Sequence, residues 1–529
     1  LVVVVLAPLA SSDPDGLEGL AAVGRLQPQS SIERRAATSG HTYYNVIEPD
    51  HGIVFDPACG SGGMFVWTGY FLNEQGTEPA KAVTFYGQEK AETNTRLSRM
   101  NLAVHGLEGQ IVEGNTFYDR HSDLVGNCDY VMANPPFNVD GVDPARLKND
   151  PRLPFGLPGL AQKTGAISNA NYLWIQYFYS YLNERGRAGF VMASSATDAG
   201  HGEKAIRQKL LQTGHVDVII AIGTNFFYTL SLPCTLWFFD KRQPAERLGK
   251  VLMLDARSIY RVVTRKIRDF SEEQLANLTA ITWLYRGETE RYLKMVQRYL
   301  EEAHAQVARL RPQMAALDEP AAAVAQALSA FSGAVQPNGD VKPEDIQAFK
   351  DQVAAWKSAW QVWQTWRDIL LVDLDTHLAW ARSQNMVTNA IQHECCERLA
   401  AFESHFKEAQ QQVNETLKLA GRAVETAEKT LLARRSPAWE GPAVRKALEN
   451  WQNGRDEALE SLHNAVYFLH QAAWLQARFP EAAYADVAGL CRVVTLKEIE
   501  EKDWSLTPGK YVGVAQDESG DIDIMERLR

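Results

Sequence analysis

Short apolar runs recur along the first half of the chain, each closed by turn-forming residues. They are Ile53–Asp56, Val83–Gln88, Ile111–Glu113, Cys128–Ala133, Ala188–Ala193, Val216–Ile222, Thr235–Asp240 and Val251–Asp255. Between several of them lie stretches with helical spacing, such as Glu92–His105 and Tyr172–Glu184. Strands alternating with helices predict an α/β fold with a doubly wound, mainly parallel sheet. In such sheets ligands bind beyond the carboxyl ends of the strands.

The pattern changes after Leu284. From Glu344 to Ser436 there is no proline and a single glycine, Gly421. Apolar residues then recur at spacings of three and four, at Val353, Trp356, Trp360, Trp363, Leu370 and Leu374, then Leu399, Phe402, Phe406 and Val413. This predicts a long amphipathic helix or an antiparallel helical hairpin, coiled-coil-like in character. Trp356, Trp360, Trp363 and Trp366 invite a base-stacking role, but three of them fall on the apolar stripe, which favours helix–helix packing. The expected division is an irregular segment 1–50, an α/β domain 51–285, a helical subunit-interaction region 286–480, and a C-terminal helix with an acidic tail, 481–529.

Composition narrows the class. The 529 residues carry a formal net charge of -11, with 45% hydrophobic and 22% charged residues, as in ordinary globular proteins. No stretch approaches the ~20 apolar residues of a membrane span. The apolar opening Leu1–Ala10 has no basic flank, since the first basic residue is Arg25. A cytoplasmic location is therefore expected rather than secretion. An acidic balance predicts that the chain does not grip duplex DNA unaided, so that any nucleic-acid role would lean on a partner. The six cysteines form no CxxC pair and read as free thiols. His393, Glu394, Cys395 and Cys396 are adjacent on a helical pattern and point in different directions, so no metal site is expected.

The chemistry sits in two motifs. Asp56-Pro57-Ala58-Cys59-Gly60-Ser61-Gly62-Gly63 follows the first strand and opens an apolar helical run. Its glycines let a ligand lie against backbone amides at a helix start. The string is not the dinucleotide GxGxxG pattern, and it suits a methionine carboxylate, with Asp56 placed to meet an ammonium group. Glu89 closes the second strand, where an acid bonds ribose hydroxyls, although a surface carboxylate would look the same. Asn115, after the third strand, is placed to meet an adenine ring.

The second motif is Asn134-Pro135-Pro136-Phe137, directly after the run Asp129–Ala133. The prolines stiffen the backbone and remove two N–H donors. The Asn134 side-chain carbonyl and the Pro135 carbonyl can then accept both hydrogens of one amino group. Phe137 offers a flat face for an extruded base. A plain rigid loop would explain the prolines but not the flanking Asn134 and Phe137. Cys59 lies inside the glycine turn and is not a nucleophile. A cytosine-C5 enzyme would need a cysteine where Phe137 stands.

These strings resemble the modification (M) subunit of Type I restriction–modification systems. The likeness runs through DPACGSGGMFV, NPPF, Asn171–Gln176, Gly186–Val191, Asn225–Tyr228, Leu232–Thr235 and Val251–Arg257, and returns in Gly489–Val494 and Leu506–Val512. The resemblance implies a seven-stranded class I methyltransferase sheet, S-adenosyl-L-methionine as cofactor, and N6-adenine methylation of double-stranded DNA. It also implies assembly with a specificity (S) subunit that reads the DNA and with a restriction (R) subunit. The family's helical N-terminal domain and Phe/Tyr-Thr-Pro segment are not seen in 1–50, where His41-Thr42-Tyr43-Tyr44 is a remnant at best. A truncated or frame-shifted start is therefore expected. N4-cytosine methylation, or a catalytically weak scaffold role, stand as alternatives.

Overall fold

The computed structural model describes residues 46–226, 231–338 and 340–514. Most of the segment 1–50, including His41–Tyr44, lies outside the described residues. So do Phe227-Tyr228 and the acidic tail beyond 514. The chain forms two compact units, one running to Gly287 and resuming at Tyr484, the other Glu288–Ala483.

The first unit is built on strands β1 (Gly52–Asp56), β2 (Val83–Glu89), β3 (Gly109–Glu113), β4 (Cys128–Ala133), β5 (Leu182–Ala193), β6 (Val216–Ile222), β7 (Cys234–Asp240) and β8 (Lys250–Asp255). A small hairpin, β9 (Arg261–Thr264) with β10 (Ile267–Asp269), and a late strand, β11 (Cys491–Thr495), complete the set. The sheet order is β11-β8-β6-β7-β5-β4-β1-β2-β3. β1–β7 form the expected seven-stranded sheet, in which β7 runs antiparallel to both neighbours. β8 and β11 extend that sheet to nine strands. β6 and β7 are buried at every position, as mainly apolar strands covered on both faces should be, and their acids Asp217 and Asp240 are ion-paired with Arg247, Arg286 and Arg187.

Helices α1 (Gly63–Glu74), α2 (Glu92–Val104), α3 (Asn171–Tyr181), α4 (His201–Gln212) and α5 (Glu272–Arg286) connect the strands. The helix expected to reach Glu184 stops at Tyr181, because Leu182 already pairs with Cys128 in the sheet. α5 starts with a Ser271–Gln274 capping box and ends on Gly287 in the left-handed conformation. The segment 481–529 holds the expected short helix, Leu496–Glu501, preceded by a strand that the sequence did not announce. Its residues Cys491–Thr495 pair antiparallel with β8 and return the chain to the sheet.

The second unit is helical: α6 (Thr289–Ala315), α7 (Asp318–Ala334), α8 (Pro343–Ser383), α9 (Asn389–Ala400), α10 (Glu403–Glu425) and α11 (Gly441–Arg478). The stripe Val353, Trp356, Trp363, Leu370 and Leu374 of α8 is buried. Trp356 is 0% and Trp363 1% exposed, which closes both to any base. Trp360 meets Trp451 of α11 edge-on at 5.0 Å. Cys395 and Cys396 are buried free thiols in α9, and the His393 ring bonds the Pro480 carbonyl. Among the described residues no helix is long and apolar enough to cross a membrane.

Candidate active site

β1 and β4 are parallel neighbours, with Phe55 opposite Val131. One further step pairs the level of Asp56 with Met132, so Asn134 begins two residues beyond it. The glycine turn and the Asn134 loop therefore leave the same edge of the sheet, from strands roughly 4.8 Å apart.

The turn after β1 is tightly held. Gly60 and Gly62 have positive φ, 53° and 81°. A Cβ on Gly62 would lie 2.6 Å from the Ser98 hydroxyl, so only glycine fits there. The Cys59 amide donates to the Gln88 carbonyl at 3.1 Å, and the Asn101 side-chain amide donates to the Ser61 carbonyl at 3.0 Å. Pro57 is buried, Ala58 and Ser61 are half-buried, and Gly63 opens α1. The amides of Ser61 and Gly63, at the turn and the helix start, have no hydrogen-bond partner among the described residues.

Asp56 is 1% exposed, and its carboxylate accepts from the Ala58 amide at 2.9 Å. It has no cationic partner among the described residues. Burial, with the negative charge of Glu89 adding to it, pushes its carboxyl up to about 8 against that hydrogen bond. Burial also holds the Cys59 thiol protonated, aided by Asp56. Glu89 is not a loose surface acid. Its two oxygens accept from the Gly60 and Ala91 amides, each at 3.0 Å, so it fastens the glycine turn to the end of β2. Each oxygen keeps a second lone pair for a ligand hydroxyl.

Asn115 begins the loop after β3. Its Oδ1 accepts from the Phe117 amide at 3.1 Å, and its own amide donates to the Asp119 carboxylate at 2.8 Å. The Thr116 hydroxyl donates to the Pro57 carbonyl at 2.5 Å and joins this loop to the glycine turn.

Pro135 is buried, Asn134 half-buried and Pro136 exposed, while Phe137 packs against the apolar core. Asn138 follows with φ 54°, a left-handed conformation that asparagine tolerates. Its amide donates to Asn171 Oδ1 at 2.8 Å, and its own Oδ1 accepts from Asn171 at 2.9 Å and Asn169 at 3.0 Å. Further along the same loop, Arg152 is fully buried and ion-paired with Asp150 at 2.6 Å. Its guanidinium also donates to the Thr116 carbonyl at 2.8 Å and the Phe117 carbonyl at 3.3 Å. Arg152 thereby pins the loop after β4 to the loop after β3. Sequence reasoning gave no role to Asn138, Asn169, Arg152 or Asp119, and placed Thr116 only beside Asn115 in the loop after β3. The left-handed-tolerant Asn138 and the Asn169–Asn171 pair at a helix start were the readable signals.

All twelve residues of the two motifs, with Glu89 and Asn115, therefore come from strand ends on one sheet edge. A buried, cation-free carboxylate beside helix amides and small-residue backbone suits a ligand bearing both an ammonium and a carboxylate group.

The N-6 DNA Methylase family model matches residues 40–310. The Type I restriction enzyme MjaIX methylase subunit of Methanocaldococcus jannaschii is 37% identical over 236 residues, 44% of this chain and 41% of that protein. The HindI methylase subunit of Haemophilus influenzae is 31% identical over 236 residues, 44% of this chain and 51% of that protein. The chain thus spans about half or less of the length of these curated relatives. A Type I restriction–modification methyltransferase subunit structure from Streptococcus thermophilus aligns with TM-score 0.41 and 23% identity, over 49% of this chain and 52% of that one. On the family match, which takes in more than half of its residues, this chain belongs to the N-6 DNA methylase family.

Proposed function

We propose that the chain transfers a methyl group from S-adenosyl-L-methionine to N6 of adenine in double-stranded DNA, as the modification subunit of a Type I restriction–modification complex. The observation that carries this reading is the shared edge of β1 and β4, which sets the glycine turn beside Asn134. When bound, the cofactor supplies a methyl group on a sulfonium, already activated for displacement.

The protein's work is then to bind and orient. Asp56 would meet the ammonium group, the amides of Ser61 and Gly63 would face the methionine carboxylate, and Pro57, Ala58, Cys59, Gly60 and Gly62 shape the turn. Glu89 shares its free lone pairs with the ribose, and Asn115 borders the adenine ring. Asn134 Oδ1 and the Pro135 carbonyl accept the two N6 hydrogens of the extruded base, which tilts the nitrogen lone pair toward the methyl group. Pro136 stiffens that loop and Phe137 stacks on the base. The surplus N6 proton would leave to water through Asn134 Oδ1 or the Pro135 carbonyl.

The net charge of -11 supports a division of labour in which a specificity subunit makes most DNA contacts and a restriction subunit joins the assembly. The helical unit is the proposed surface for those partners. Six buried free thiols support a reducing, cytoplasmic setting.

Mass analysis of nucleosides from a duplex incubated with labelled cofactor tests the activity. N6-methyladenine should appear, and Asn134→Ala should remove it, by about 10²–10³-fold at least, with cofactor binding retained. N4-methylcytosine as the product, or normal methylation by Asn134→Ala, would defeat the assignment.

A further inference from the structure

β6 and β8 run parallel, with Ala221 opposite Asp255, and β6 runs in the same direction as β5, β4 and β1. The segment leaving β8 therefore emerges on the same edge as the Asn134 loop. That segment is the β9–β10 hairpin. Four strand spacings separate β4 from β8, roughly 19 Å. Along a duplex this is about six base pairs at 3.4 Å each.

The hairpin reverses the chain's electrostatic character. From Ala256 to Arg268 there are five cations, Arg257, Arg261, Arg265, Lys266 and Arg268, and no acid, in a protein of net charge -11. Arg257 is paired with Asp255 and Arg261 with Asp269, bonds that brace the base of the hairpin. The Arg268 guanidinium lies 4.0 Å over the Tyr260 ring, and its amide donates to the Asn225 carbonyl at 2.9 Å, anchoring the hairpin to the segment after β6. Arg265 and Lys266, at the turn, are exposed and have no ion-pair partner among the described residues. Val262 and Val263 point to opposite faces of the strand and are 64% and 52% exposed, so the hairpin stands clear of the sheet on both sides.

We propose that this hairpin is a DNA-backbone contact of the chain itself, with Arg265 and Lys266 meeting duplex phosphates about half a helical turn from the extruded base. The inference rests on the reading of duplex DNA as the substrate. A projecting, braced ribbon with two unneutralised cations at its tip suits phosphates, whose charge is dense and whose contacts need no sequence. It gives an otherwise acidic subunit a local foothold that holds the target strand in register with the Asn134 loop.

Two measurements on the full chain test it. In salt titrations with a random-sequence duplex, Arg265→Ala/Lys266→Ala should flatten the slope of log K against log salt by about 1.8, the loss of two phosphate contacts. Cofactor affinity should not change. Because all six native cysteines are buried, Thr264→Cys offers a single accessible thiol for a photocross-linker. It should cross-link to duplex, whereas Val104→Cys, exposed at the opposite sheet edge, should not. An unaltered slope, no salt-dependent duplex binding by the unmodified chain, or equal cross-linking from both positions would overturn the proposal. Adenine methylation by the unmodified chain is scored separately. A failed hairpin with intact methylation leaves the enzymatic reading standing. Cross-linking at Thr264→Cys without any methylation condemns the reading and keeps the contact.

Discussion

Asn171 grips Asn138 twice, accepting its amide hydrogen at 2.8 Å and donating to its side-chain oxygen at 2.9 Å. This pair holds the residue after the Asn134–Phe137 loop in a left-handed turn and so sets the loop's exit. Asn171→Ala should lower kcat for methyl transfer by about 100-fold through misplacement of the acceptors, with cofactor affinity unchanged. Asn171→Asp keeps the acceptor and loses the donor, and should fall between the two. Steady-state kinetics beside calorimetry checks this, and a fall in cofactor affinity alone would refute it.

Asp56 predicts a pH dependence. Its carboxyl titrates near 8 in the free protein, so below that pH a proton must leave before it meets an ammonium group. Cofactor affinity should tighten by up to about tenfold per pH unit as pH rises toward 8, then level off. Asp56→Asn should bind more weakly, with a flat profile. The carboxyl lies above its unfolded value, so the fold itself loses stability as pH climbs from the ordinary carboxylate range to about 8. Isothermal titration from pH 6 to pH 9 separates these outcomes.

Arg152 joins two loops through one buried guanidinium. Arg152→Met leaves the Asp150 carboxylate and the Thr116 and Phe117 carbonyls without their donor, and should cost about 3–5 kcal/mol. Arg152→Lys should recover only part, because an ammonium cannot reproduce the planar fork. Urea unfolding followed by fluorescence gives the comparison. Equal stability of all three proteins would show the bond network to be inert.

His304 of α6 and His377 of α8 share one hydrogen bond, Nε2 to Nε2, at 3.0 Å. One ring must donate and the other accept, so the two cannot both be protonated while the bond persists. Burial holds both down to about 4, with His377 adding to the effect on His304 and Arg398 on His377. Their folded values lie below the ordinary 6.5, so the stability they contribute is complete above that pH and is lost as pH falls toward 4. Melting temperature should drop between pH 7 and pH 5, and His304→Leu/His377→Leu should drop less. An equal fall in both proteins would exclude the pair as the cause.

Local chemistry was readable from the chain and distant pairing was not. β4 and β6 announced themselves by the apolar runs Tyr130–Ala133 and Val218–Ile222, and the glycine turn and Asn134 loop as strings whose residue types have few other uses. β11 did not, because Cys491–Thr495 is short and its partner β8 lies more than 200 residues earlier. Glu89 closes β2 as expected, yet its hold on the Gly60 amide depends on a register that only the folded sheet fixes. Arg152 could not be foreseen at all. Its value comes from carbonyls at Thr116 and Phe117, and a backbone carbonyl leaves no trace in residue type.

The late arrival of β11 also sets an order of events during synthesis. β8 leaves the ribosome well before its antiparallel neighbour, and the whole helical unit is made in between. Until Cys491–Thr495 appears, the growing protein carries a sheet border with open hydrogen-bonding groups, the kind of border that recruits strands from other chains. Chains ending before Cys491 should therefore fill inclusion bodies, even though both motifs are already complete.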